Sequence, residues 1–332
     1  MKIKLRKASV FFLSCILLPA FFLSCKVKDA RQELTIYTVK GPSAVGMIRL
    51  FEEPPQIAGF NVKVEALAQA DLMAARFIAG EVMVGIMPPN MAAKIASSGR
   101  DIRAAAVIGA GMLSLLSSDP NVRSFEDLRG KTVEVVGQGA TPDYVFQTIL
   151  RAHGLAPNID VTLGYSLAYP EVAQSLIAGR VSIALLPEPF ATMALTGRPD
   201  LIHISDIQEE WAKAAHGQGG GNYPMTLLVV DGDFASRNRE SLDEILAAVE
   251  NSIGWVRVHP DEAGVLVEKF ELGLKAGIVA AAIPNSNYVF IPVPEARPSL
   301  EALYAVFLEN DPSSIGGALP GEGFYLNESG DQ

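Results

Sequence analysis

The sequence predicts an α/β fold of two similar lobes, each a mostly parallel sheet flanked by helices, joined by two hinge crossings. The first observation behind this is an internal repeat. Residues 77–92 read FIAGEVMVGIMPPNMA and residues 176–191 read LIAGRVSIALLPEPFA, 99 positions on. Sliding 62–92 onto 161–191 matches Val62/Val161, Ala74/Ala173, Ile78/Ile177, Ala79/Ala178, Gly80/Gly179, Val82/Val181, Pro88/Pro187 and Ala92/Ala191. The second is a pair of matching turns: Gly41-Pro42-Ser43-Ala44 and Gly139-Ala140-Thr141-Pro142 each follow an apolar run. The third is the apolar character of residues 82–87 and 225–230, as expected of strands buried on both faces. The period is too long for a solenoid. Two such lobes facing each other enclose a cleft, and open α/β sheets bind ligands beyond the carboxyl ends of their strands, where these turns lie.

In order, residues 34–39 read as a strand, and Lys40-Gly41-Pro42-Ser43 turns into a helix running through Phe51. Residues 61–65 alternate apolar and polar, a strand pattern. Residues 69–79 form a helix closed by Gly80, the usual left-handed cap residue. Residues 82–87 form a strand, 90–98 a helix and 103–108 a strand. Ser117-Ser118-Asp119-Pro120 breaks the pattern, 124–128 is a short helix, and 131–136 restarts the motif as a second lobe running to Tyr223. Residues 225–230 return as a strand to the first lobe, and the remainder is mainly helical: 239–259, 260–270, 274–282 and 299–309. The crossings are expected near 114–119 and 223–227. This gives lobe I as 34–116 with 225–332, and lobe II as 117–224, with a two-strand hinge that permits closure about a ligand.

The N-terminus carries an export signal over residues 1–24. Lys2, Lys4, Arg6 and Lys7 precede an apolar stretch over 8–23. Leu23-Ser24-Cys25 resembles a bacterial lipobox, with Cys25 lipidated and 25–33 as a tether; Phe22 stands where Leu is usual. Leu13-Ser14-Cys15 is the rival, with only a short apolar run before it. An uncleaved anchor is the other alternative, shorter than the ~20 residues of a spanning helix. In each case the folded part is expected outside the cytoplasmic membrane.

Without the signal the chain has 308 of its 332 residues, and losing four cations and no acid takes the net charge from −10 to −14. Such an acidic body argues against nucleic acid or an anionic lipid surface as partner. Cys15 and Cys25 are the only cysteines, which excludes a disulfide, a thiolate nucleophile or a Cys metal site from the mature body. The length fits about two domains.

Gly137-Gln138-Gly139-Ala140-Thr141-Pro142 begins like a dinucleotide fingerprint, but Pro142 replaces the third glycine. It reads as a helix start with Thr141 as N-cap, where free N–H groups can hold an oxygen. Ser43 marks the matching start in the first lobe, and Lys40 can pair with an acidic ligand group or be solvated. Asn90 is a natural N-cap. Glu188, between Pro187 and Pro189, can accept a hydrogen bond from a ligand or cap the following helix. Phe190 and Tyr144 offer faces for stacking or are core. Gly111, Asn222 and Tyr223 complete the candidate set beside the hinge, with the glycine-rich run 217–221 a mobile loop or close approach. The four His are scattered, and no nucleophile elbow or phosphate loop is present. No catalytic residue, cofactor or metal site is expected.

With these residues in hand, the chain resembles the substrate-binding lipoproteins of bacterial ABC importers, in the nitrate/sulfonate/taurine/thiamine-precursor class. The resemblance is carried by KGPSAVGMIRLFE (40–52), residues 77–95, FEDLRGKTVEVVGQGATPDYV (125–145), residues 176–191, IPNSNYVFI (283–291) and SSIGGALPGEGFY (313–325). It implies a type-II periplasmic-binding-protein fold, no catalysis, an importer permease as partner, a monomer, and membrane attachment only through the lipid. The family leaves open oxyanions, sulfonates or ring compounds; with Lys40 the one cation of these turns, a small polar or heteroaromatic metabolite is expected. The alternatives are an oxyanion- or sulfonate-binding member, a transferase on the same scaffold, and a sensor that binds without transport.

Overall fold

In a computed structural model the described residues are 31–214 and 221–327. The expected signal, Cys25, most of the expected tether and residues 217–220 of the glycine run lie outside them.

The first sheet opens with β1 (Gln32–Val39), whose residues alternate buried and half-buried from Leu34 onward. A Gly-Pro turn leads to α1 (Pro42–Gly46) and α2 (Ile48–Glu52), where one helix was expected. Met47, at φ −103° and ψ 5°, breaks it. β2 (Phe60–Leu67) pairs with β1 in parallel along its whole length. α3 (Ala70–Ala79) ends at Gly80, whose φ of 75° makes it the left-handed cap that the sequence indicates. β3 (Val84–Met87), α4 (Pro89–Ser97) and β4 (Ile102–Ala110) follow.

The chain then passes to the second sheet: β5 (Leu113–Ser117), β6 (Thr132–Val135), α5 (Thr141–Ala152), β7 (Thr162–Gly164), α6 (Tyr169–Ile177), β8 (Ile183–Pro187), α7 (Phe190–Gly197), β9 (Ile202–Asp206) and α8 (Ile207–Ala214). β10 (Pro224–Asp231) re-enters the first sheet. α9 (Gly232–Arg237), α10 (Arg239–Val258), α11 (Pro260–Lys269), α12 (Ala276–Ala282), β11 (Tyr288–Pro292) and α13 (Val293–Asn310) complete the order.

The strand orders are β11-β4-β10-β3-β1-β2 and β7-β6-β8-β5-β9. Both sheets are mixed rather than mostly parallel. β2-β1-β3 and β7-β6-β8 are parallel blocks, whereas β10, β5 and β11 run against their neighbours. The reason is connectivity. β5 and β10 arrive from the other lobe at the carboxyl edge of the parallel block and can only run away from it.

The first crossing is Gly111-Met112, earlier than the 114–119 expected, and residues 113–116 pair in the second sheet. The two crossings touch: the Gly111 N–H donates to the Tyr223 carbonyl oxygen at 3.1 Å. β11 and the first turns of α13 went unread because Pro292, Pro294 and Pro298 obscure the pattern; Pro298 lies within the helix.

Two cores line opposite faces of both sheets. One gathers Phe77, Val107, Val133, Phe146 and Phe307, and the other Ile36, Ile86, Leu186, Ile245 and Val256. α13 reaches across to α5, where Tyr144 meets Phe307 edge-on with centroids 5.3 Å apart. Among the described residues no helix is long and apolar enough to cross a membrane.

Candidate functional site

Strand ends from both sheets converge on a cleft of about 470 Å³. Such a volume suits a small organic ligand. In the first lobe, Gly41 takes φ 110°, which a side chain would oppose, so the chain turns sharply after β1. Pro42 then fits the first helical position. Met87 and Pro88 close β3 at the same wall, and residues 272–274 of the loop between α11 and α12 cover it. Lys40 is exposed and its Nζ donates to the Glu271 carbonyl oxygen at 3.3 Å.

In the second lobe, Gly137 and Gly139 take φ 82° and 73° and bend the chain after β6. Thr141 is not the N-cap: Ala140 holds that position and no side chain caps the helix. The Thr141 hydroxyl is buried without a hydrogen-bond partner. Asp143 stabilises the loop instead. One carboxylate oxygen accepts from the Gly139 N–H at 2.8 Å. The other accepts from Gln147 Nε2 and the Tyr165 hydroxyl, both at 2.7 Å. Burial, followed by this bond to the carboxylate, pushes the Tyr165 phenol well above its ordinary value.

At the end of β8, Pro187 and Phe190 complete the wall, and Phe190 stacks on Tyr169 at 5.6 Å and 15°. The floor is the hinge itself: Met112, Met225 and Thr226. Among the described residues lining this cleft, Lys40 alone is charged. Pro42, Pro142 and Pro170 occupy first-turn positions of α1, α5 and α6, so each of these helices offers one N–H fewer to an anion.

Of the residues singled out in the sequence, Lys40, Gly41, Pro42, Ser43, Thr141 and Phe190 come together here. Gln138, Gly139 and Tyr144 line a neighbouring groove with Asp143 and Asp311. Asn90 is not an N-cap; Pro88 holds that place. Its side chain spans the lobes, Nδ2 donating to the Gly139 carbonyl oxygen at 3.3 Å.

Glu188 faces away from the cleft. Its Oε2 accepts from the Thr192 N–H at 3.0 Å, the capping role that the sequence left open. Tyr223 is fully buried beside Trp211, and its hydroxyl accepts from the Leu113 N–H at 3.3 Å. Gly111 and Asn222 also belong to the crossings: the Asn222 carbonyl oxygen accepts from Trp211 Nε1.

Tyr169 was missed, although the repeat contains the signal. The 99-residue offset sets it opposite Ala70, and both line the cleft, as do the equivalent Pro88 and Pro187.

Two lobes joined by paired crossings around a strand-end cleft define a two-lobed clamp fold. The chain belongs to the family described as NMT1/THI5 like, whose model matches residues 56–263. Among curated proteins it is similar to a putative binding protein, YtlA, of Bacillus subtilis, 23% identical over 135 residues. That match covers 41% of this chain and 37% of the relative's length.

The fold is shared with an ABC transporter protein from Parabacteroides distasonis, with a TM-score of 0.78 and 22% identity, covering 90% of this chain and 100% of that one. It is shared too with the periplasmic aliphatic sulphonate binding protein SsuA of Escherichia coli, with a TM-score of 0.72 and 16% identity over 91% and 94% of the chains.

Proposed function

We propose that this protein is a non-enzymatic, extracytoplasmic solute-binding component that delivers a small ring-bearing metabolite to an ABC importer, anchored by lipid on Cys25. The observation that carries the reading is the cleft. It is walled by strand ends of both sheets, lined mainly by apolar side chains, Met, Pro, Leu and aromatic ones among them, and supplied with hydroxyls at Ser43, Thr141 and Thr226. A planar ring fits beside the Phe190–Tyr169 stack, and a ring oxygen or nitrogen can accept from Thr141. Closure about the crossings at Gly111-Met112 and Tyr223-Pro224 sequesters the solute. The acidic surface accords with a small-molecule partner rather than nucleic acid, and the protein acts as a monomer docking on a permease.

A second reading, a sulfonate or oxyanion as solute, is favoured by the likeness to SsuA. The lone cation, Lys40, and the first-turn prolines weigh against it. Thermal melting against matched sets of heteroaromatic compounds and sulfonates separates the two. A ligand at one hundred times its Kd adds about 2.7 kcal/mol. Stabilisation by sulfonates alone would replace the first reading with the second.

A further inference from the structure

A second groove, of about 780 Å³, runs along the first crossing and is lined by Gly111, Met112, Leu113 and Ser114. Met112 also lines the cleft, so a single crossing strand separates the two spaces. The walls come from both lobes: Glu188 and Gln208 from the second, Asn287 and Tyr288 from the first.

Three buried polar groups collect there. The Tyr288 hydroxyl has no hydrogen-bond partner, although the residue is only 4% exposed. Gln208 Oε1 is likewise without a partner. The Glu188 carboxylate is 3% exposed and among the described residues has no cation within ion-pairing distance; its hydrogen bond comes from the neutral Thr192 N–H. Orphan polar atoms are rare in native interiors, and each asks for a partner. Arg257, His203 and Asp206 stand at the exposed rim and leave the interior of the groove acidic.

We propose that this groove is a second binding site, for a small ammonium ion carrying an oxygen a few bonds from its nitrogen, and that its occupancy is coupled to the cleft. The ammonium supplies the positive charge that Glu188 lacks and donates to Gln208 Oε1. The ligand oxygen accepts from the Tyr288 hydroxyl. Because both lobes wall the groove, rotation about the crossings reshapes groove and cleft together, and the effect of each occupant on the other is reciprocal. The coupling rests on the clamp reading; the binding does not.

The test is calorimetric titration of ethanolamine into the full chain at neutral pH, with ethylene glycol and acetate as controls. Saturable one-to-one binding of ethanolamine alone is expected. Glu188→Gln should weaken it at least tenfold and Tyr288→Phe several-fold. No saturable heat, or equal binding in the parent and both variants, overturns the site. A change in the radius of gyration on adding ethanolamine supports the coupling. Binding at an unchanged radius overturns the coupling while keeping the site.

Discussion

The side-chain amide of Asn90 donates to the Gly139 carbonyl oxygen at 3.3 Å, tying the helix after β3 to the glycine loop after β6. It is a bond between lobes, made by residues that follow strands of different sheets. A clamp that opens must break it. Asn90→Ala removes a neutral hydrogen bond worth about 0.5–1.5 kcal/mol. The dissociation rate of a cleft solute should rise about two- to tenfold, with association little changed. Stopped-flow fluorescence reads both rates, and an unaltered dissociation rate would show that the bond persists through opening.

Thr141 presents a buried hydroxyl without a partner to the cleft. Thr141→Val keeps the shape and removes the group. Apo stability should hold or rise, since an unsatisfied buried hydroxyl is costly. Solute affinity should fall by about 0.5–1.5 kcal/mol. Apo melting and titration on the one variant decide it; lower stability with full affinity would make Thr141 structural only.

Burial raises the Glu188 carboxyl above its ordinary value, and the hydrogen bonds from Thr192 offset this only in part. The folded state therefore binds the proton more tightly than the unfolded state. Stability falls as pH rises from the ordinary carboxylate value to the raised one, and the penalty is complete above it. Glu188→Gln retains an oxygen for the Thr192 N–H and cannot ionise. It should melt above the parent at pH 8, with the gap closing below the ordinary carboxylate range. A gap independent of pH would trace the effect to packing.

Gly85 in β3 lies under α3. A Cβ there would sit 2.7 Å from Phe77 Cε2 and 3.0 Å from Met73 Sδ, both in fully buried side chains. Gly85→Ala should cost about 1–3 kcal/mol by overpacking. Adding Phe77→Leu should recover part of that loss, a non-additivity that denaturant titration of the double-mutant cycle measures.

The fold was legible because its determinants are local and repeated. Two copies of strand, turn and helix start, with Gly80 as a true left-handed cap, are visible in the letters. Lys40 to Ser43, Thr141 and Phe190 line the cleft, and strand-end turns with a composition of their own mark them in the sequence. What stayed hidden depends on distant partners. Glu188 looks alike in the sequence whether it meets a ligand or the Thr192 N–H. Tyr169 joins the site only because Phe190 lies across from it. Tyr223 is drawn into the core by Trp211. The antiparallel sense of β5 and β10 follows from where the chain re-enters each sheet, which no local pattern encodes.

If one solute is held between the lobes at the strand ends, the protein should retain it through equilibrium dialysis against a bacterial metabolite extract, with mass spectrometry reading what stays bound. Ser43→Trp, which places an indole in the cleft, is the comparison. The parent should retain one small ring-bearing compound at a one-to-one ratio and Ser43→Trp should lose it. Retention of the same compounds by both proteins, or of none by the parent, would place the solute elsewhere or remove it altogether.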